Sequence, residues 1–111
     1  MSERDDIPVV VAGANGRMGR ETVQAILQQV DLRLVAALGK SREIGQDIGA
    51  VIGAEPCGVL LEDDPEVAIP KAAGGVMIDF SLGPVVKEHV LIALRNDVPC
   101  VVGATSIPAI D

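Results

Sequence analysis

The hydrophobic positions of the chain fall into two kinds of segment. Short, continuous apolar runs rich in Val, Ile and Leu are typical of strands that are covered on both faces of a parallel sheet. Longer segments in which apolar residues recur every three or four positions indicate amphipathic helices. The apolar runs predict five strands, at residues 7–12, 32–38, 58–61, 76–80 and 99–104.

The helical periodicity lies between these runs. It predicts a helix from Arg17 to Val30 and another from Pro84 to Arg95. The apolar stripe of the second helix contains Val85, Val86, His89, Val90, Ala93 and Leu94. Residues 39–58 are predicted as a loop with a short helical turn near 44–51. Asp63 or Asp64, placed before Pro65, is predicted to be the N-cap of a further short helix.

Strands that alternate with helices predict right-handed crossovers and a parallel sheet. We therefore expect residues 1–111 to form one α/β domain, a Rossmann-like doubly wound parallel sheet with strand order 3-2-1-4-5. In such a sheet, ligands bind at the carboxyl ends of the strands. The loops after the first, fourth and fifth strands should converge there.

Three glycines, Gly13, Gly16 and Gly19, separate the first strand from the first helix. In a phosphate-binding turn the first glycine permits the sharp turn, the second admits a pyrophosphate, and the third allows close packing of helix on strand. Backbone N–H groups at the helix start then face the anion. The alternative is a simple tight bend. Arg17 adds a positive charge or is merely solvated, and Met18 is expected to pack between helix and sheet.

The end of the second strand indicates which dinucleotide such a turn would hold. A carboxylate there binds the ribose hydroxyls of NAD, whereas a basic residue accepts the 2′-phosphate of NADP. Here the strand is followed by Gly39, Lys40, Ser41 and Arg42, with no carboxylate at the tip. The sequence thus favours NADP(H), with NAD(H) possible, and a solvated basic loop is the alternative.

The fourth predicted strand ends in Asp79, Phe80 and Ser81. A buried carboxylate must be paired or hydrogen-bonded, so Asp79 is expected to cap neighbouring backbone N–H groups. Phe80 either flanks a nucleotide or belongs to the core. His89 lies on an apolar helix face, which favours a satisfied core histidine over a catalytic base. Cys100 is expected to be an inert residue in a buried strand.

Composition narrows the function classes. A net charge of −7 over 111 residues argues against a nucleic-acid-binding surface. Five of the nine basic residues nevertheless fall between positions 17 and 42, which suits a small anionic ligand. Two cysteines without metal-ligand spacing predict neither a disulfide framework nor a metal site. No apolar run approaches the length of a membrane span, so a cytoplasmic location is expected.

Three phrases together, VAGANGRMGRETVQAI, VMIDFS and VPCVVGATS, resemble the N-terminal cofactor domain of the dihydrodipicolinate (4-hydroxy-tetrahydrodipicolinate) reductase family. The resemblance covers about residues 7–106. It implies a cytosolic enzyme of the diaminopimelate route to lysine, which uses NADH or NADPH. By this resemblance Lys40 meets the 2′-phosphate. The pyrophosphate and nicotinamide side would be lined by Gly13, Asn15, Gly16, Arg17, Met18 and Gly19. The ribose and nicotinamide would be bordered by Phe80, Ser81, Gly103, Ala104 and Thr105.

The chain also departs from the family pattern. Gly39 stands where an acidic residue is frequent, which leans further towards NADPH, and the last loop reads GATS rather than GTTG. The family's second lobe, which carries the substrate site, is absent from these residues. We therefore expect no catalytic residue here, binding without turnover, and a homo-oligomer for the full-length family member. The alternatives are a stand-alone redox-sensing or CoA-binding module and a purely structural domain.

Overall fold

The computed structural model describes residues 6–103, and within them five strands form a single parallel sheet. The strands are β1 (Ile7–Ala12), β2 (Leu32–Leu38), β3 (Leu61–Glu62), β4 (Val76–Asp79) and β5 (Cys100–Val102). Their order is β3-β2-β1-β4-β5. The predicted Rossmann-like α/β class and the predicted strand order are both confirmed.

Helices connect the strands and cover the sheet. They are α1 (Arg17–Leu27), α2 (Ile48–Val51), α3 (Pro65–Ala68) and α4 (Gly83–Arg95), and a 3-10 turn (Ile69–Ala72) continues α3. No helix within residues 6–103 is long and apolar enough to span a membrane.

Strand β1 is buried on both faces of the sheet from Val9 to Ala12, and this burial explains its continuously apolar sequence. Val10 and Ala12 point into a core with Ile69 and Ile92, on the side of α3 and α4. Val9 and Val11 point into a second core with Val23, on the side of α1. Successive side chains of a strand face opposite ways, so burial on both sides requires every residue to be apolar.

Helix α1 ends earlier than its hydrophobic periodicity predicts. It stops at Leu27 rather than Val30, and Val30 is 95% exposed. The N–H of Gln29 donates to the carbonyl of Ile26 at 3.0 Å, which tightens the last turn. The chain then has to begin β2 at Leu32, beside β1. Tertiary pairing therefore overrides the helical pattern here.

The third strand lies later than predicted, at Leu61–Glu62 rather than 58–61. The preceding residues pair locally: the N–H of Ile48 donates to the carbonyl of Val59 at 2.8 Å, and Leu60 forms an isolated antiparallel bridge with Asp47. This local pairing also shortens the helical turn that was predicted near 44–51, and only α2 (Ile48–Val51) forms. Only the last residues of the apolar run remain free to join the sheet.

The remaining boundaries agree closely with the sequence. Of the two N-cap candidates, Asp64 is the cap of α3, because its side chain accepts from the N–H of Glu66 at 3.0 Å. In α4 the predicted stripe is partly wrong, since Leu94 is 65% exposed and Ile92 is buried instead. Strands β4 and β5 are shorter than predicted, and Ala104 lies outside the described residues.

Candidate nucleotide-binding site

A groove of about 250 Å³ lies at the carboxyl ends of the strands, between the loops after β1, β2 and β4. We call it the edge groove. It is lined by Gly13, Asn15, Gly16, Leu38, Gly39, Lys40, Asp63, Ser81, Leu82, Val85 and His89. The loops after the first and fourth strands therefore converge as predicted. Of the loop after β5, the structure describes only Gly103.

The glycine turn is held against the end of β2. Gly13 has a positive φ of 76°, and the N–H groups of Gly13 and Ala14 both donate to the carbonyl of Leu38, at 2.8 and 3.0 Å. Gly19 is buried in α1, where a Cβ would overlap the carbonyl oxygen of Gly13. The first glycine thus supplies the turn, and the third permits close contact between helix and strand.

The start of α1 presents backbone donors towards this edge. The first helical hydrogen bond is from the N–H of Arg20 to the carbonyl of Gly16, at 2.9 Å. Gly16 is the N-cap and offers no side chain to accept from the first turn. Within residues 6–103, the N–H groups of Arg17, Met18 and Gly19 have no acceptor outside the helix. Free amides at a helix start, together with the helix dipole, favour an anion.

The side chain of Asn15 reaches the loop after β2. Its Nδ2 donates to the carbonyl of Lys40 at 2.7 Å and to a carboxylate oxygen of Glu43 at 3.0 Å. A Cβ on Gly39 would overlap Oδ1 of Asn15. Gly39 therefore makes room for the side chain that ties the glycine turn to the loop carrying Lys40.

The predicted cluster of basic residues is smaller in space than in sequence. The guanidinium of Arg20 donates to the carbonyl of Val51 at 3.1 Å and forms an ion pair with Glu43 at 3.8 Å. Arg33 forms an ion pair with Asp6 at 3.2 Å. The other three basic residues of this cluster have no ion pair within residues 6–103. They are Arg17, Lys40 and Arg42. All three are exposed, and Lys40 lines the edge groove.

Asp79 and His89 form a buried pair beneath the groove. Nδ1 of His89 lies 2.8 Å from Oδ2 of Asp79, and the N–H of Ser81 donates to Oδ1 at 2.8 Å. Burial alone would raise the pKa of Asp79, but the hydrogen bonds from His89 and Ser81 hold that pKa below its usual value. Asp79 therefore caps a neighbouring N–H, and His89 is a satisfied core histidine, as the sequence predicts.

Phe80 is half-buried and packs against the core, and its contact with a nucleotide stays a prediction. It lies against the apolar cluster on the α1 side, and a Cβ on Gly103 would come within 3.0 Å of its Cδ1. The backbone carbonyl carbon of Phe80 would lie 3.2 Å from a Cβ placed on Gly13. The absence of side chains at Gly13 and Gly103 therefore allows Phe80 to pack closely against both residues.

The other predicted site residues divide into two sets. Gly13, Asn15, Gly16, Lys40 and Ser81 line the edge groove. The residues that do not line it are Arg17, Met18, Gly19, Phe80 and Gly103. Met18 is 46% exposed, so the expectation that it packs between helix and sheet is wrong. Ala104 and Thr105 lie outside the described residues. Ligand binding by any of these residues stays a prediction.

Sequence reasoning missed two carboxylates near the groove. Asp63 lines it, and Glu43 lies beside Asn15 although it follows the strand tip by five residues. The only signal for Asp63 was its competition with Asp64 for the N-cap. Asp64 is the N-cap, and Asp63 lines the groove instead. Glu43 carries no local signal, because only the folded loop brings it to Asn15.

Known proteins resemble this chain closely. The family profile described as "Dihydrodipicolinate reductase, N-terminus" matches residues 7–109. A 4-hydroxy-tetrahydrodipicolinate reductase from Moorella thermoacetica is 40% identical over 91% of the chain, and one from Cyanothece sp. is 40% identical over 96%. The chain spans only 38% and 41% of the lengths of these two relatives.

A solved structure also matches the fold. A dipicolinate-bound dihydrodipicolinate reductase from Paenisporosarcina sp. TG-14 has 29% sequence identity and a TM-score of 0.69. The match covers 90% of this chain and 38% of that protein. The profile match spans nearly the whole sequence, and the relatives agree with it. The chain therefore belongs to the dihydrodipicolinate reductase family, in which it corresponds to the N-terminal domain.

Proposed function

We propose that this chain is the cofactor-binding portion of an NADPH-dependent 4-hydroxy-tetrahydrodipicolinate reductase, acting in the diaminopimelate route to lysine. The observation that carries the proposal is the edge groove, in which a glycine turn and Lys40 line the same surface. The names of the relatives support the reaction class. On the same resemblance we propose a cytoplasmic location and a homo-oligomer for the whole protein.

The residues present fit a dinucleotide. Gly16 has open space where a side chain would stand, since the nearest atom that a Cβ would meet is the carbonyl oxygen of Gly13 at 3.4 Å. The free amides at the start of α1 suit the diphosphate. Lys40 and Arg42 are exposed, have no ion pair in the described part of the chain, and suit a 2′-phosphate. When bound, the reduced nicotinamide would supply hydride to the substrate.

The role of this chain is to bind and orient that cofactor. Asn15 fixes the backbone of Lys40 against the glycine turn, so the diphosphate and the 2′-phosphate would meet surfaces held at a constant separation. Preorganisation of this kind lowers the ordering cost of binding. NADH would use the same turn but lack the group that Lys40 and Arg42 favour.

Titration calorimetry with NADPH, NADH and CoA tests the proposal. We expect the chain to bind NADPH most tightly. Lys40→Gln should weaken NADPH binding about tenfold while leaving NADH binding nearly unchanged, because only NADPH loses a charge-assisted contact. Lys71→Gln removes an equal charge from an exposed lysine on the 3-10 turn and serves as the control.

Each contrary result has a distinct meaning. Binding of CoA alone would favour the alternative of a CoA-binding module. If Lys40→Gln weakened the binding of NADPH and NADH equally, Lys40 would not contact the 2′-phosphate, which NADH lacks. A sample that is folded and binds none of the three ligands would overturn the proposed function as a whole.

A further inference from the structure

A carboxylate lies next to the loop that carries Lys40, yet it lies outside the edge groove. Glu43 is not among the residues that line the groove, and one of its oxygens accepts from Nδ2 of Asn15 at 3.0 Å. The same Nδ2 donates to the carbonyl of Lys40 at 2.7 Å, so Glu43 and the backbone of Lys40 share one donor. Glu43 is therefore close to the cations that follow β2 without lining the groove.

Arg20 holds the other oxygen of Glu43. Its Nη2 lies 3.8 Å from Oε2 of Glu43, while its Nε donates to the carbonyl of Asn15 at 3.0 Å and its Nη1 to the carbonyl of Val51 at 3.1 Å. One guanidinium thus contacts the glycine turn, the end of α2 and the loop after β2. A lysine at this position would lack the planar fork that reaches several acceptors in fixed directions.

The backbone of this loop is strained, which indicates that its neighbours impose its shape. Ser41 has a φ of 114°, in the left-handed region that residues other than glycine seldom adopt. Its hydroxyl oxygen accepts from Nδ2 of Asn15 and from the N–H of Glu43, both at 3.2 Å. Such conformations persist where the surrounding contacts offset their cost, and they cluster at ligand sites. The contacts of Asn15, Glu43 and Arg20 therefore fix how residues 40–43 are presented.

Release of Glu43 would alter the charges that Lys40 and Arg42 present. Both cations are exposed and have no ion pair within residues 6–103, and Glu43 follows Arg42 directly in the chain. A freed carboxylate would compete for either cation, and it would repel a phosphate that approaches them. A ligand that lacks this phosphate would be affected much less.

We infer that Arg20 is a positioning residue, which sets the preference for NADPH by holding Glu43 away from the 2′-phosphate. Arg20 does not line the edge groove, and its guanidinium is engaged by protein oxygens, so it would act on the cofactor only through Glu43. The inference rests on the proposed function, in which Lys40 and Arg42 suit the 2′-phosphate. It adds that these cations discriminate most strongly while Glu43 is restrained.

The test measures the ratio of the dissociation constants for NADH and NADPH, by titration calorimetry on the 111-residue chain. Arg20→Lys keeps the charge but cannot reach all three acceptors, so we expect the ratio to fall roughly three- to fivefold, the scale of a charge interaction at a protein surface. Addition of Glu43→Gln to Arg20→Lys should restore the ratio, because the freed side chain is then neutral. Glu43→Gln alone should change the ratio by less than about twofold, since Arg20 already restrains the carboxylate at a distance where solvent and salt screen it.

Arg33→Lys is the matched control. Arg33 is equally exposed, with 39% of its side chain accessible against 40% for Arg20, and it pairs with Asp6 at the end of β2 opposite to Lys40. This variant should keep the ratio. Thermal unfolding of the same samples shows that each variant is folded. A purely structural role of Arg20 would weaken the binding of both nucleotides equally and leave the ratio unchanged.

An unchanged ratio in Arg20→Lys would overturn the inference, and so would an equal fall in Arg33→Lys or a fall that Glu43→Gln does not reverse. A large increase in the ratio from Glu43→Gln alone would also contradict it, because Glu43 would then face the phosphate despite Arg20. These outcomes leave the proposed function standing. An unaltered chain that binds neither nucleotide, or does not prefer NADPH, would contradict the proposed function itself, and the inference would fail with it.

Discussion

Gly16 and Gly19 are three residues apart in the same turn, yet an added methyl group meets different surroundings at each. At Gly19 it would overlap the backbone of Gly13, inside the contact between α1 and β1. At Gly16 the closest atom is 3.4 Å away, and the backbone angles of −83° and 179° suit an L-residue. The protein fold needs the glycine at 19, whereas nothing in the described fold needs the glycine at 16. We propose that the open space at Gly16 admits the diphosphate of the cofactor.

Gly16→Ala should therefore fold but bind poorly. We expect the free energy of unfolding to change by less than about 1 kcal/mol, the usual scale for substitutions at an N-cap. NADPH affinity should fall at least about tenfold, because the methyl group occupies the surface that a diphosphate must approach. Thermal unfolding and titration calorimetry on the same sample measure the two effects.

Gly19→Ala provides the contrast. Overpacking against backbone should destabilise the fold by roughly 1–3 kcal/mol. If Gly16→Ala bound NADPH as well as the unaltered chain, the turn would be a simple tight bend.

At the scale of elements, one carboxylate organises the segment between β2 and β3. Asp47 caps α2 by accepting from the N–H of Gly49 at 2.8 Å, and it also accepts from Cys57 at 3.0 Å and from Gly58 at 2.7 Å. The hydrogen bond from Cys57 is the largest influence, and with the other backbone donors it outweighs burial and lowers the pKa of Asp47 from 3.8 to about 2. A single ionised side chain thus closes the loop of residues 47–58.

Asp47→Asn should destabilise the protein by about 1–2 kcal/mol at neutral pH, because a neutral amide accepts these hydrogen bonds less strongly. A pKa that is lower in the folded state stabilises the fold above the unfolded value of 3.8 and ceases to do so as the pH falls towards 2. The gap in stability between the two proteins should therefore narrow over that interval.

Denaturant unfolding at a series of pH values measures this gap. Asp64→Asn is the matched control, since Asp64 accepts from one backbone N–H rather than four, and its loss at neutral pH should be smaller. A gap that stays constant down to pH 2 would contradict an ionised Asp47 as the centre of the loop.

The elements also show what sequence patterns can predict. The bounds of β1 and β2 were predicted to the residue, because burial on both faces leaves runs that are apolar except for Arg33 near the start of β2. Val30 and Leu94 fit helical stripes but are exposed, since pairing of β2 with β1 and packing of α4 decide where those stripes end. In the site, the glycine turn and Lys40 carry local signals. Glu43 and the side-chain direction of Asn15 depend on long-range contacts and carry no local signal, and the only signal for Asp63 is its position beside the N-cap residue Asp64.

At the scale of the whole molecule, the charges are distributed unevenly. The net charge is −7, but Arg17, Lys40 and Arg42, which have no ion pair within residues 6–103, follow β1 and β2 at the edge where the groove lies. Acidic proteins repel anions in general, so a local cationic surface is needed for an anionic ligand to approach. The three cations would favour the approach of the proposed anionic cofactor to this end of the sheet.

The last prediction concerns what this chain does alone. It spans about two-fifths of the length of its relatives. From the family resemblance, we propose that the substrate site lies in a second lobe. Among the described residues, the two titratable side chains that line the groove besides Lys40 are Asp63 and His89, and His89 is already bound to Asp79. Because Nδ1 of His89 is engaged by Asp79, that nitrogen is not free to exchange a proton with a substrate.

We therefore expect the 111-residue chain to bind NADPH without oxidising it when 4-hydroxy-tetrahydrodipicolinate is added. Calorimetry measures the binding, and loss of the absorbance of the reduced nicotinamide measures turnover in the same solution. A full-length relative, run in parallel, is the positive control for the substrate. Steady oxidation of NADPH by this chain would show that its own residues complete a substrate site, and the division of labour proposed for the two lobes would then be wrong.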